Sequence, residues 1–122
     1  MPALSFELNT RENPMTAYLI VRADVPAADR DAFDRWYEEE HLPDAVAAFN
    51  ARNGWRGWSH TEPNLHYAWY EFDDLATAMA TSDSEAIKGL IAAFDRTWGE
   101  RIARTRDVVD CQQRVSGDSH RS

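Results

Sequence analysis

The most reactive combination in the chain is Glu40-His41, reached through Phe33-x-x-Trp36-Tyr37 and followed by Leu42-Pro43. An imidazole among aromatic walls with a carboxylate beside it can be tuned to exchange protons near neutral pH. That suits a general base or acid working next to a carbonyl or a phenol. In such an arrangement His41 moves the proton, and Glu40 orients it or balances its charge. The purely structural alternative is a protonated His41 stabilising a helix C-terminus through the helix dipole, with Pro43 merely turning the chain. Arg22 is the next polar group that asks for a partner, because it follows directly on the apolar run Tyr18-Leu19-Ile20-Val21. A guanidinium in such a strand must meet a carboxylate, a carbonyl or a ligand. It could stabilise a developing enolate or phenolate, with Glu71 or Asp110 as the structural partners instead. Aromatic side chains complete the candidate site: Tyr18, Tyr67 and Trp69 on strands, Trp36 and Tyr37 on a helix, and Trp58 and Trp98. Together they could hold a flat ring in an apolar pocket; they serve equally well as core or as a subunit contact.

Other potentially reactive groups carry less. His60 and His66 would face one another if the hairpin closed through the three residues Glu62-Pro63-Asn64. Two ligands make only half a metal site, so no metal is expected. His41 or His66 could serve as an axial haem ligand, but the basic residues that would anchor haem carboxylates are not clustered on one element. No cofactor is expected either. Cys111, the single cysteine, belongs to no CxxC pattern and reads as a small buried residue. The chain contains no nucleophile elbow, phosphate loop, dinucleotide fingerprint or zinc-protease motif.

These side chains need elements to position them. Thr16 to Val25 reads as a first strand, ended by Pro26, which has no N–H for a ladder. From Asp29 to Leu42 the apolar period changes: Phe33, Trp36, Tyr37, Glu40 and His41 fall at offsets 0, 3, 4, 7 and 8, one face of a helix. Pro43 should stop or kink that helix and sit in the first turn of a short second segment over 44–49. Strands follow at 55–61 and 65–73, with Gly57 opposite Trp69, Trp58 opposite Ala68 and Ser59 opposite Tyr67. Residues 74–81 suggest one or two helical turns. Ser82-x-x-Glu85 has the form of a capping box before a helix at 86–98, with Gly99 as its stop. A last strand is expected within 105–115.

The order β-α-β-β-α-β defines a ferredoxin-like α+β fold, a four-stranded antiparallel sheet with both helices on one face. Strand one is apolar on both sides, and so is the strand at 65–73. Helices cover only one side, so a second copy of the sheet is expected to cover the other in a homodimer.

Composition narrows the partners. The 122 residues suffice for one cored domain, here 16–115, with a flexible extension at 1–15 and a disordered tail at 116–122. Leu4, Phe6 and Leu8 alternate and could add an edge strand. Thirteen Lys+Arg against 21 Asp+Glu leave a net charge of −8, which repels phosphate backbones and anionic lipid. Neither nucleic acid nor membrane is expected as a partner. The lone cysteine, and an N-terminus with no apolar signal core, suggest the cytoplasm.

Several strings also resemble a known group. Tyr18-Leu19-Ile20-Val21-Arg22, Trp36-Tyr37-x-x-Glu40-His41-Leu42-Pro43, Leu65 through Asp73 and Trp98-x-x-Arg101 resemble the dimeric α/β-barrel superfamily, most of all its EthD-like small proteins. The resemblance spans roughly residues 16–115. It implies a dimeric barrel with His41 near a cavity between helix and sheet. The chemistries it implies are cofactor-free oxygenation of aromatic polyketides, isomerisation and cyclisation, alongside haem-handling enzymes and members of no assigned activity. The expected function is therefore cofactor-independent action on a small cyclic, aromatic or polyketide-like molecule through His-mediated proton transfer. The alternatives are a non-catalytic, small-molecule-binding or stress-associated dimer and, behind it, a haem-dependent enzyme.

Overall fold

The computed structural model describes residues 16–117. The expected N-terminal extension, its possible edge strand, and all of the expected tail except Ser116 and Gly117 lie outside that range.

Strand β1 (Ala17–Asp24) runs down the middle of the sheet. It is flanked by β3 (Leu65–Phe72) and β4 (Ala103–Asp110), with β2 (Asn53–Trp58) outside β3. Every neighbouring pair is antiparallel, in the order β2-β3-β1-β4. Helical segments α1 (Arg30–Trp36) and α2 (Leu42–Phe49) follow β1; α3 (Leu75–Ser82) and α4 (Glu85–Trp98) follow β3. This is the ferredoxin-like α+β arrangement expected from the sequence. Leu19 and Ala23 of β1, with Ala68, Tyr70 and Phe72 of β3, face the helices and are fully buried. Their neighbours Tyr18, Ile20, Tyr67 and Trp69 point to the other side and stay half-exposed.

The link between α1 and α2 departs from a simple break. Tyr37–His41 forms a π turn, in which the Leu42 N–H donates to the Tyr37 carbonyl, five residues back. Pro43 then falls in the first turn of α2, as anticipated, and one continuous helical rod results. The turn also sets phase. Phe33, Tyr37, His41, Ala45 and Phe49 are all buried at a spacing of four. In an uninterrupted α-helix each such step drifts by roughly 40°, and the wider turn takes back part of that drift. His41 accordingly lies inside a helix rather than at its end, which removes the C-terminal capping role. Glu40, expected on the inward stripe, is exposed because the widened turn gives the inward direction to His41.

Other boundaries moved for local reasons. The hairpin register is displaced by two residues: Trp58 pairs with His66, and Gly57 with Tyr67. Residues 59–64 form the loop, held by the Ser59 N–H to the Leu65 carbonyl at 2.9 Å and by Ser59 Oγ, which accepts from the Glu62 N–H at 3.0 Å. A serine able to satisfy the turn from inside lengthens it beyond the three residues expected. The cap of α4 is Ser84, whose Oγ accepts from the Ile87 N–H at 3.2 Å, rather than Ser82, which closes α3. Asp74 caps α3 in the same way at 2.8 Å from the Thr77 N–H. Strand β4 begins two residues before the expected start and ends at Asp110, leaving Cys111 beyond it and partly exposed rather than buried.

Candidate functional site

Between the π turn and the sheet lies a cavity of about 330 Å³. Leu19 and Val21 of β1 form its floor, Ala45 and Phe49 of α2 one wall, and Ile87, Leu90, Ile91 and Phe94 of α4 the other. Its polar residues are few: His41, Tyr37 and Tyr70, with Arg104, Thr105 and Arg106 from β4. A mainly apolar cleft with a handful of convergent polar groups is the usual form of a small-molecule site, for which volumes of roughly 300–1,000 Å³ are typical.

His41 is held on several sides. Its ring stacks on Trp36, with centroids 4.5 Å apart and planes 19° from parallel, and meets Tyr37 edge-on at 4.9 Å. Burial, reinforced by the positive charge of Arg104, lowers its pKa to about 4, so the imidazole is neutral at physiological pH. Tyr37 and Tyr70 bring their hydroxyls to 3.4 Å of each other. Burial pushes Tyr37 up to about 12 and raises Tyr70 as well, so both remain protonated donors. Arg104 lies across the face of Phe94, 3.7 Å from the ring centroid, and donates to Asp95 at 3.2 Å.

The candidate residues divide between the two faces of the sheet. Trp36, Tyr37, Trp58 and Trp98 gather with His41 on the helix side around Phe33, whose ring centroid lies 6.0 Å from Trp58 and 5.4 Å from Trp98. Of these four, only Tyr37 lines the cavity; Trp36 backs His41. Tyr18, Tyr67 and Trp69 stand on the opposite face, where Tyr67 stacks on Trp69 at 5.7 Å and Trp55 meets Tyr18 edge-on at 6.2 Å. Arg22 shares that face and is exposed, as is Glu40 on the outer surface of the π turn. Neither is brought to His41.

Sequence reasoning passed over Arg104, Arg106, Tyr70 and Phe94. The available signal was parity: in the observed register Arg104, Arg106 and Val108 face the same way as Ala23, Val21 and Leu19. Starting the strand at Thr105 left Arg104 outside it.

The paired-histidine reading is overturned by register, since His60 is exposed in the loop 59–64 while His66 is buried opposite Trp58. His66 belongs instead to a structural network. Asp34 of α1 accepts from Arg56 Nη1 and from Trp58 Nε1, each at 2.8 Å, and Arg56 lies 3.4 Å from His66 Nε2. Burial, with the Arg56 charge, lowers His66 to about 3. Those two hydrogen bonds, that from Trp58 first, hold the Asp34 carboxyl below its ordinary range. Among the described residues no cluster of three or more His, Cys, Asp or Glu could hold a metal ion.

No family model and no curated protein matches the sequence. The fold does match solved structures. An EthD family protein from Bacillus halodurans superimposes with a TM-score of 0.63 at 17% identity, covering 80% of this chain and 99% of the other. A NIPSNAP family protein of unknown function from Agrobacterium tumefaciens gives 0.66 at 13%, covering 88% and 97%. A provisionally named antibiotic biosynthesis monooxygenase from Nitrosomonas europaea gives 0.58 at 14%, covering 82% and 93%. The chain thus shares the ferredoxin-like α+β fold of these structures. At these identities the likeness is one of fold, and function has to be argued from the cavity.

Proposed function

We propose that the protein is a cofactor-independent enzyme that moves a proton on a small cyclic, aromatic or polyketide-like molecule bound in the helix–sheet cavity. The reaction is of the monooxygenase, isomerase or cyclase type, and His41 is its base. One observation carries this reading: a buried imidazole, kept neutral by its surroundings, opens onto an apolar cavity that two protonated tyrosines and two arginines also line. The lowering, to about 4 rather than the near-neutral value expected, leaves this base free of its own proton at pH 7 but weakens it, so transfer from an acidic phenol or a carbon next to a carbonyl has to be driven by stabilisation of the anion that forms. The Tyr37–Tyr70 hydroxyl pair can then supply a donor to the oxygen of the enolate or phenolate that forms, and Arg104, rather than Arg22, adds positive charge to the cavity. Removal of water by the apolar walls strengthens each of these interactions. The names of the fold neighbours, which include an antibiotic biosynthesis monooxygenase, favour small-molecule chemistry of this class.

The assembly is part of the proposal. Tyr18, Ile20, Tyr67 and Trp69 are half-exposed, and Trp55 is 42% exposed, on the side of the sheet away from the helices. A second copy related by twofold symmetry covers that face with its own. Among the described residues no helix is long and apolar enough to cross a membrane, and a cytoplasmic site of action is in keeping with the single cysteine.

The test is proton transfer itself. Deuterium exchange at the activated carbon of 2-tetralone, followed by NMR, and oxygen uptake with hydroxylated naphthalenes should both be measured on the intact protein and on His41→Ala. Loss of turnover by about a hundredfold or more in the variant, with fold and subunit mass unchanged, is the expected result. Saturable binding of these compounds by the intact protein with no exchange and no product would replace this reading with that of a sequestering protein.

A further inference from the structure

The cavity's charge is opposite to that of the molecule around it. The chain carries a net charge of −8, yet no Asp or Glu lines the cavity, whereas Arg104 and Arg106 both do. The two arginines sit at alternate positions of β4, an edge strand, on the side that faces the helices. Depth is graded as well. Tyr37, Tyr70 and Ala45 at the inner end are almost fully buried, while Leu90, Ile91 and Arg106 are partly or largely exposed, so the opening runs between β4 and α4. Arg104 is positioned by Phe94 beneath it, and its contact with Asp95 uses one of its five N–H donors. Arg106 makes no ion pair among the described residues. One cation of the pair is therefore uncompensated at the mouth.

Resting on the reading of this cavity as a substrate site, we infer that its ligand is an anion: a cyclic or aromatic carboxylate whose ring occupies the inner apolar end and whose carboxylate is received by Arg104 and Arg106. A guanidinium offers a planar pair of donors matched to a carboxylate, and the apolar walls around it raise the value of the charge pairing. The chain as a whole is negative, so selection for an anion has to come from these two residues. Oriented in this way, the ring end of the ligand lies toward the buried tyrosine pair, and the carboxylate lies toward the mouth.

Two probes of nearly equal shape separate charge from fit: 2-naphthoate and 2-naphthamide, titrated calorimetrically into the full chain at low and at high salt. Naphthoate should bind about tenfold more tightly than naphthamide at low salt, and the difference should shrink as salt is added. Arg104→Gln and Arg106→Gln should each weaken naphthoate while leaving naphthamide within about twofold. Arg106 is exposed, so its variant keeps the test valid should Arg104→Gln fold poorly. Equal affinity for the two probes, or a preference left undiminished in the Arg106→Gln variant, would overturn the inference and leave the proton-transfer reading intact. Failure of both probes to bind would remove the cavity as a ligand site and both proposals with it.

Discussion

At the scale of single residues, the decisive group is an imidazole whose surroundings keep it neutral. For His41, burial is the main cause of the lowered pKa and Arg104 the second. Replacing Arg104 by Gln should therefore raise the His41 pKa while leaving it below the ordinary value near 6.5, as followed by NMR of the ring protons. No movement would mean that the guanidinium does not sense the imidazole. The same lowering predicts the acidic limb of kcat/KM to fall near pH 4 to 5 rather than near 6.5, because the base is lost only when His41 is protonated. Glu40 and Arg22 provide the contrast. Both are exposed, one outside the π turn and one across the sheet, so Glu40→Gln and Arg22→Gln should change kcat/KM by less than about threefold.

Among the elements, the π turn is what aims His41. Its position was half legible: Pro43 announced a discontinuity, but a proline alone does not say whether the chain breaks, kinks or widens. The choice was made by packing, since the widened turn brings Tyr37, His41 and Ala45, all buried, closer to a single line along the rod. A second dependence on close approach lies at Gly54 of β2. A Cβ there would stand 2.5 Å from Val46 Cγ2 of α2. Gly54→Ala should destabilise the fold by about 1–3 kcal/mol through overpacking, read as the midpoint of urea unfolding, and Val46→Ala in the same chain should recover part of the loss. If the double variant were no more stable than Gly54→Ala alone, the strand and helix would not be in the contact described. Ser84→Ala should cost about 1 kcal/mol as the loss of an N-cap, with Ser82→Ala, which removes no N-cap, costing less.

For the whole molecule, two consequences follow from what is buried and what is not. His41 and His66 have folded-state pKa values near 4 and 3, below the 6.5 of an unfolded histidine. Between those values the unfolded chain binds more protons, so stability rises with pH; it is fully present above about 6.5 and is lost as pH falls toward 4 and then 3. Each histidine contributes up to about 1.4 kcal/mol per pH unit inside its window. The urea midpoint should therefore drop from pH 7 to pH 5, and less steeply in His41→Leu. The open face of the sheet supplies the other consequence. Replacing Trp69 by Arg, at the centre of the exposed aromatic group, should convert a sedimenting dimer to a monomer. A wild-type chain that already sediments as one copy at micromolar concentration would exclude the dimer.

Periodicity along the chain sufficed for the order of strands and helices, the stripe on α4 and the apolar character of both sheet faces, because these depend on neighbours a few residues away. The burial of Tyr37 and His41 was readable for the same reason. What tertiary structure alone decided was which aromatic residues share a space. Tyr18, Tyr67 and Trp69 carry the same kind of side chain as Trp36, Trp58 and Trp98, and only strand parity and the helix layer send the two groups to opposite sides. The cavity's cation was decided there too. Arg22 and Arg104 lie on adjacent strands, but Arg22 pairs with Thr105 and Arg104 with Ala23, so the shift of one position in register puts one guanidinium outside and the other beside His41. Successive residues of a strand point to opposite faces, and no local pattern says which face the helices will cover.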